Sequence, residues 1–249
     1  MAADRSVLTR DARAPDEVVA YGDGPDQVAD VRFGDARAEK RPLVLIIHGG
    51  FWRPEYDRAH TGPMSEALAD AGWTVASAEY RRIPHDPDSM VHDVALALDV
   101  LPTKVKRHNG SVILVGHSAG GHLVLWASAA HRTPQLVGTL ALAPVADLLL
   151  AHDRQLGDGA VIAFLDVHPS HRADLDPRRL PAPEIPVTIV HGTDDDIVPL
   201  DISEAYVAAH RNVRLVRVPG ADHFALIDPK SRAWSRVIER LEALAVSHG

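Results

Sequence analysis

Apolar residues along this chain fall into short, nearly continuous runs separated by stretches with helical spacing. The runs are Leu43 to Ile47, Trp73 to Ala78, Val112 to Val115, Leu136 to Leu142, Val187 to Val190 and Val213 to Val218. Each is strand-sized, and a continuous apolar strand, partly β-branched, suits a sheet covered on both faces. Between the runs, Gly62 to Ala71, Met90 to Leu101, Ala119 to Ala130 and Ile202 to His210 show helical periodicity, with a closing stretch from Ala233 to Val246. The alternation predicts an α/β fold, a mostly parallel twisted sheet with helices on both faces. Before it, Val18 to Phe33 carries Gly22-Asp-Gly-Pro25 between alternating residues and predicts an antiparallel edge hairpin.

One region breaks the rhythm. Leu148 to Pro186 is rich in Asp, His, Arg and Pro, with a short apolar piece at Ala160 to Leu165. A long crossover connection has this composition too, but long ordered loops in compact domains tend to be functional. The expectation is a short cap or lid insertion over residues 148–186, roofing a pocket within a single domain of residues 1–249.

With 249 residues and 46% apolar content, one fold of this length buries roughly 70–75% of the surface of its unfolded chain. The net charge of −8 supplies no broad positive field, so neither nucleic acid nor an anionic membrane is an expected partner. Met1 to Glu17 lacks the apolar centre of a secretory signal, and the longest apolar run, Val137 to Ala151, is interrupted by Gly138, Pro144 and Asp147. The cytoplasm is the expected compartment. There are no cysteines and 15 histidines. The first count excludes thiolate nucleophiles, Cys-ligated zinc and iron–sulfur clusters, leaving Ser, His and carboxylates to carry any chemistry.

The most informative segment is Ser111-Val-Ile-Leu-Val-Gly-His-Ser-Ala-Gly-Gly121. It reads as a strand, a G-x-S-x-G turn at Gly116 to Gly120, then a helix. A sharp strand-to-helix turn lifts the Ser118 hydroxyl out of the sheet edge, and small residues two before and two after it avoid a backbone clash. A lone serine is a poor nucleophile at neutral pH and needs a base held by a carboxylate. Two later strands offer both at their carboxyl ends: His191-Gly-Thr-Asp-Asp-Asp-Ile-Val-Pro199 and Pro219-Gly-Ala-Asp-His-Phe224. Open parallel sheets bind ligands beyond those ends, so Ser118, His223 and one of Asp194, Asp195 and Asp196 should converge. Acyl transfer also needs donors for the developing oxyanion. Leu43-Val-Leu-Ile-Ile-His-Gly-Gly-Phe-Trp52 runs a strand into a turn whose amides, Gly50 and Phe51, would form the hole together with Ala119. His48 reads as structural, orienting that loop.

His48-Gly-Gly-Phe-Trp52, Glu79-Tyr-Arg-Arg82, Gly116-His-Ser-Ala-Gly-Gly121, His191-Gly-Thr-Asp-Asp195 and Gly220-Ala-Asp-His223 together resemble the α/β-hydrolase superfamily. Within it the chain is similar to the esterase and kynurenine formamidase (arylformamidase) branch, over about Tyr21 to Trp234. The resemblance implies the α/β-hydrolase fold, no cofactor, and a Ser–Asp–His triad on Ser118, Asp195 and His223, with the acid two residues after Thr193. Phe51 departs from the hormone-sensitive-lipase-like pattern, which has a third glycine there, and implies a bulkier, aromatic acyl-side wall.

Phe51, Trp52, Tyr80 and His117, with His122, are candidates to line the substrate pocket. Arg53, Glu55, Arg81 and Arg82 could bind an acidic substrate, but a structural ion pair near the loop is the favoured reading. No metal site is expected: H-E-x-x-H is absent, and His168-x-x-His171 lacks a spaced acid. The expected activity is hydrolysis of a small carboxylic ester through an acyl-enzyme. N-formyl-kynurenine hydrolysis is the alternative, and an inactive binding protein on the same fold the second. A small ester or formamide is the expected partner, and a homodimer is compatible with the sequence.

Overall fold

A computed structural model describes residues 3–246. Among these residues eight strands form one sheet: β1 (Glu17–Ala20), β2 (Val28–Arg32), β3 (Leu43–Ile47), β4 (Val75–Ala78), β5 (Val112–His117), β6 (Leu136–Leu142), β7 (Val187–Gly192) and β8 (Arg214–Val218). Their order is β1-β2-β4-β3-β5-β6-β7-β8. From β4 to β8 every pairing is parallel, while β1 and β2 form the expected antiparallel edge hairpin, with β2 also antiparallel to β4.

Among the described residues seven α-helices accompany the sheet: α1 (Gly62–Asp70), α2 (Pro87–Lys104), α3 (Ala119–Ala130), α4 (Leu148–Asp153), α5 (Ala160–Leu165), α6 (Leu200–Ala209) and α7 (Trp234–Val246). Side chains on β3 show why continuous apolar strands are required. Leu43, Leu45 and Ile47 pack into one core with Met90 and Val94 of α2 and Leu123 of α3. Val44 and Ile46 point the other way, into a second core with Met64 and Leu68 of α1 and Val237 and Leu241 of α7. Successive residues of a strand face opposite sides, so a strand covered twice has no solvent-facing position to make polar.

The segment of residues 148–186 carries α4, α5 and three single turns of 3-10 helix. It is tied to α3 by His122 Nε2 at 2.8 Å from the Leu175 carbonyl and by the Trp126 indole donating to the Asp174 carbonyl. The N-terminal segment is also built in. A 3-10 turn, Ser6–Thr9, buries Val7 at 1% exposure in the second core, and the Arg10 guanidinium pairs with Asp228.

Candidate active site

The turn after β5 takes the expected shape. Ser118 has φ 57° and ψ −120°, a conformation costly for a non-glycine residue. It is held by three backbone bonds, from its own N–H to the Leu142 carbonyl and from the His122 and Val145 amides to its carbonyl. Close packing explains the two glycines. A Cβ at Gly120 would fall on the carbonyl oxygens of Ile47 and His48, and one at Gly116 on the Gly120 carbonyl. Only a hydrogen fits between β3 and the start of α3, so the pattern is a steric requirement of the turn.

Of the three consecutive acids, Asp195 alone contacts His223, with Oδ2 2.7 Å from Nδ1. Its Oδ1 accepts from the amides of Ile197 (2.9 Å) and Val198 (2.8 Å). His191, buried behind it, brings Nε2 within 3.3 Å of Oδ2. Burial works to raise the Asp195 pKa, but the hydrogen bonds from His191 and His223 outweigh it and hold the carboxyl well below the usual range. Asp194 and Asp196 are exposed, and Asp194 is occupied by the Thr193 hydroxyl.

Ser118 and His223 line one cavity with Gly50, Phe51 and His117, about 440 Å³ of open space including its mouth. Ser118 Oγ makes no hydrogen bond to the imidazole; in ligand-free sites this contact is commonly long and tightens on binding. Among the described residues, the amides of Gly50 and Phe51 have no acceptor. Ala119 supplies the first amide of α3, which has no helical carbonyl behind it.

The loop carrying Gly50 and Phe51 is strained. Gly50, Phe51 and Trp52 take φ of 114°, 51° and 58° in succession. Tyr56 fills the space that a Cβ on Gly50 would need. On the other flank the 148–186 segment braces the loop. Trp52 stacks on Phe164 at 4.5 Å, the Phe51 ring packs on Gly157, and the Arg53 guanidinium donates to the Gly157 carbonyl.

Underneath, His48 is fully buried, its ring between the Gly49 carbonyl and the Glu79 carboxylate at 2.8 Å each. Burial pushes its pKa down to about 3, which makes it a poor proton acceptor and fits a structural role. Arg82 pairs with Glu79, and Arg81 with Asp93 at 2.7 Å, so both are structural ions.

Four expectations need correction, the first being His122, which is fully buried with Nε2 on the Leu175 carbonyl and does not line the cavity. Trp52 is 3% exposed and lies against Phe164 and His122, away from the cavity. Tyr80 is fully buried, stacked on His48, with its hydroxyl donating to the His48 carbonyl. Both pin the loop from inside the core, and the left-handed backbone at 50–52 turns Trp52 inward. The 148–186 segment contributes no lining residue to this cavity and supports the loop of residues 50–53 from outside. His117 does line the cavity, its Nε2 held at 3.0 Å from the His223 carbonyl. Sequence reasoning missed Arg5, Leu8, Tyr56 and His60, which also line it. No spacing singles them out. His60 is half-buried, edge-on to His48, and its desolvation pushes its pKa to about 3. Among the described residues no three His, Asp or Glu side chains form a group able to hold a metal ion, and no helix is long and apolar enough to cross a membrane.

Comparison with known proteins follows the same lines. The BD-FAE family matches residues 29–144, a span holding the Gly50 loop and Ser118 but ending before Asp195 and His223. Esterase LipC of Mycobacterium tuberculosis is 28% identical over 84% of this chain, which spans 60% of that protein's length. A kynurenine formamidase of Salmo salar is 26% identical over 84% of this chain and 75% of its own. Among solved structures, esterase B from Lactobacillus rhamnosis superposes with a TM-score of 0.75 at 20% identity, over 96% of this chain and 89% of the other.

Proposed function

We propose that this chain, which has the α/β-hydrolase fold and resembles esterases and kynurenine formamidases, is a serine hydrolase of small carboxylic esters. The observation that carries the reading is the closed Asp195–His223 pair facing the cavity that holds Ser118 and two amides without acceptors. His223 Nε2 takes the Ser118 proton as Oγ bonds to the substrate carbonyl carbon. The oxyanion is met by the amides of Gly50, Phe51 and Ala119. The C–O bond to the alcohol then breaks, and the alcohol leaves with the proton from Nε2. Water, deprotonated by the same nitrogen, attacks the acyl-enzyme, and Ser118 departs with that proton as the carboxylic acid is released. Asp195 holds the imidazole in the tautomer that leaves Nε2 free.

Formamide hydrolysis is the second reading, favoured by the formamidase relative, which is matched over more of its own length than the esterase is. The steps are the same with an amine as leaving group. No cofactor is required in either. The domain reading is one unit of residues 1–249, with the 148–186 insertion acting as a buttress.

The test is turnover of p-nitrophenyl acetate and N-formyl-kynurenine by the wild type and Ser118→Ala. Loss of at least about a thousandfold on replacing Ser118 is expected. Retention of most turnover by Ser118→Ala would remove the reading, and the ratio of the two substrates decides between ester and formamide.

A further inference from the structure

The N-terminal segment, which no motif singled out, forms one wall of the cavity through Arg5 and Leu8. It is fixed there at several points. The Asp4 amide donates to Asp222 Oδ2 at 2.9 Å, the Leu8 amide to the Arg5 carbonyl at 3.0 Å, Val7 is buried in the core and Arg10 pairs with Asp228. The Arg5 guanidinium lies over the Phe224 ring, 5.6 Å from its centroid, beside the residue that follows His223.

Two features distinguish Arg5 from an ordinary surface arginine. First, among the described residues it has no carboxylate partner. Asp4, beside Arg5 in the chain, and Asp222, beside His223, are engaged by backbone: Asp4 Oδ1 accepts from the Ser6 amide, and Asp222 accepts from the amides of Asp4, Phe224 and Ala225. Second, the rest of the lining carries no fixed charge. Leu8, Phe51, Tyr56, Ile197 and Phe224 are uncharged, burial holds His60 and His117 in the neutral form, and His223 has to be neutral to take the Ser118 proton. An unpaired guanidinium at the mouth of an otherwise neutral cavity recognises an anion, and a carboxylate matches its fork of donors best.

We infer that Arg5 is a specificity residue of this site and that the preferred substrate carries a carboxylate on its leaving group. The leaving-group side follows from position: His223 protonates the departing atom, and Arg5 sits over the ring next to His223. The inference rests on the hydrolase reading above.

The matched probes are 4-acetoxybenzoate and its neutral counterpart 4-acetoxybenzamide, compared as the ratio of their kcat/KM values. Arg5→Gln should lower the benzoate-to-benzamide ratio about five- to tenfold, the size of one charge-assisted hydrogen bond at a solvent-exposed position. Arg5→Lys should restore a large part of it, and raising NaCl from about 50 to about 500 mM should lower it in the wild type more than in Arg5→Gln. An unchanged ratio in Arg5→Gln overturns the inference while leaving the hydrolase reading standing. If the wild type hydrolyses neither probe, calorimetric binding of 4-hydroxybenzoate and 4-hydroxybenzamide decides instead. Weaker binding of the benzoate alone by Arg5→Gln supports the role of Arg5, and equal losses or none overturn it.

Discussion

Replacing Asp195 by Asn separates the triad acid from its two neighbours in sequence and has a cost that the geometry sets. The two carboxylate oxygens are not equivalent. Oδ1 accepts from two backbone amides, Ile197 and Val198, and Oδ2 faces His223 and His191. An NH2 group cannot take the Oδ1 position, because two fixed N–H donors already point at it. The side-chain nitrogen introduced by Asp195→Asn therefore falls where Oδ2 was and donates toward His223 Nδ1. The imidazole then shifts to the tautomer with its proton on Nε2, the nitrogen that has to receive the Ser118 proton. Displacing the working tautomer costs about 1–2 kcal/mol. Losing a charge about 4 Å from the imidazolium that forms in the transition state costs about 4 kcal/mol at a near-surface effective dielectric. Together they reduce kcat about ten-thousandfold. The assay is initial-rate hydrolysis of p-nitrophenyl acetate at saturation, with active sites counted by a phosphonate label and thermal unfolding measured on the same samples. Asp194→Asn and Asp196→Asn, both at exposed positions, should stay within about threefold of wild type. A loss below about tenfold for Asp195→Asn, or an equal loss for Asp194→Asn, would refute the assignment.

Three other outcomes follow from packing and charge. Gly120→Ala drives a methyl into the Ile47 and His48 carbonyls, so it should give insoluble protein or lower the melting temperature by more than about 8 °C, as circular dichroism would report. Phe164→Ala removes the ring on which Trp52 stacks, so it should lower kcat about tenfold with a smaller change in KM, because the Gly50 and Phe51 amides act mainly on the oxyanion; a change confined to KM would exclude the bracing role. Asp176 is fully buried, and burial, with the Asp147 charge adding, raises its pKa to about 6. Its folded pKa exceeds the unfolded value, so the folded form binds its proton more tightly; the penalty is absent below about pH 4, grows as pH rises through about 6 and reaches about 3 kcal/mol at most above it. Asp176→Asn should therefore raise stability by about 1–2 kcal/mol at about pH 7.5 and by nothing near pH 4, measured by urea unfolding, and an equal gain at both would contradict the burial argument.

The central parallel strands were legible in the sequence because burial on both faces leaves them almost continuously apolar, whereas the edge strand β8 carries exposed Arg214 and Arg217. β3, β6 and α3 run where the apolar pattern ends. The first residues of the apolar run before β4, Trp73 and Thr74, precede the ladder, since the Trp73 amide still closes the end of α1 on the Leu68 carbonyl. Ser118 and His223 were legible as well, because each sits at a strand end that topology brings to one edge of the sheet. The acid was ambiguous for a local reason. Consecutive residues in a tight turn point in different directions, and only the paired amides of Ile197 and Val198 select Asp195. Trp52 was misread because pattern arguments presume ordinary backbone. Three successive positive φ values break the alternation of facing, and an aromatic residue next to an oxyanion turn went into the core.

A division of labour follows from these cases. The proposed reacting groups stand at the ends of β3, β5, β7 and β8, elements that the periodicity of the chain itself announces. Other residues that line the cavity, Arg5, Leu8, Tyr56 and His60, stand in single turns and connections with too few residues for a period to appear. Arg5 is far from Ser118 in the chain and lines the same cavity because Val7 is anchored in the α1 and α7 core, the Asp4 amide is held by Asp222 and Arg10 pairs with Asp228. Reaction type is therefore readable from strand ends, whereas substrate preference is written in segments that acquire meaning once packed. Arg5→Gln and Asp195→Asn test opposite sides of that division: the first should change which ester is preferred, and the second how fast any ester is cleaved.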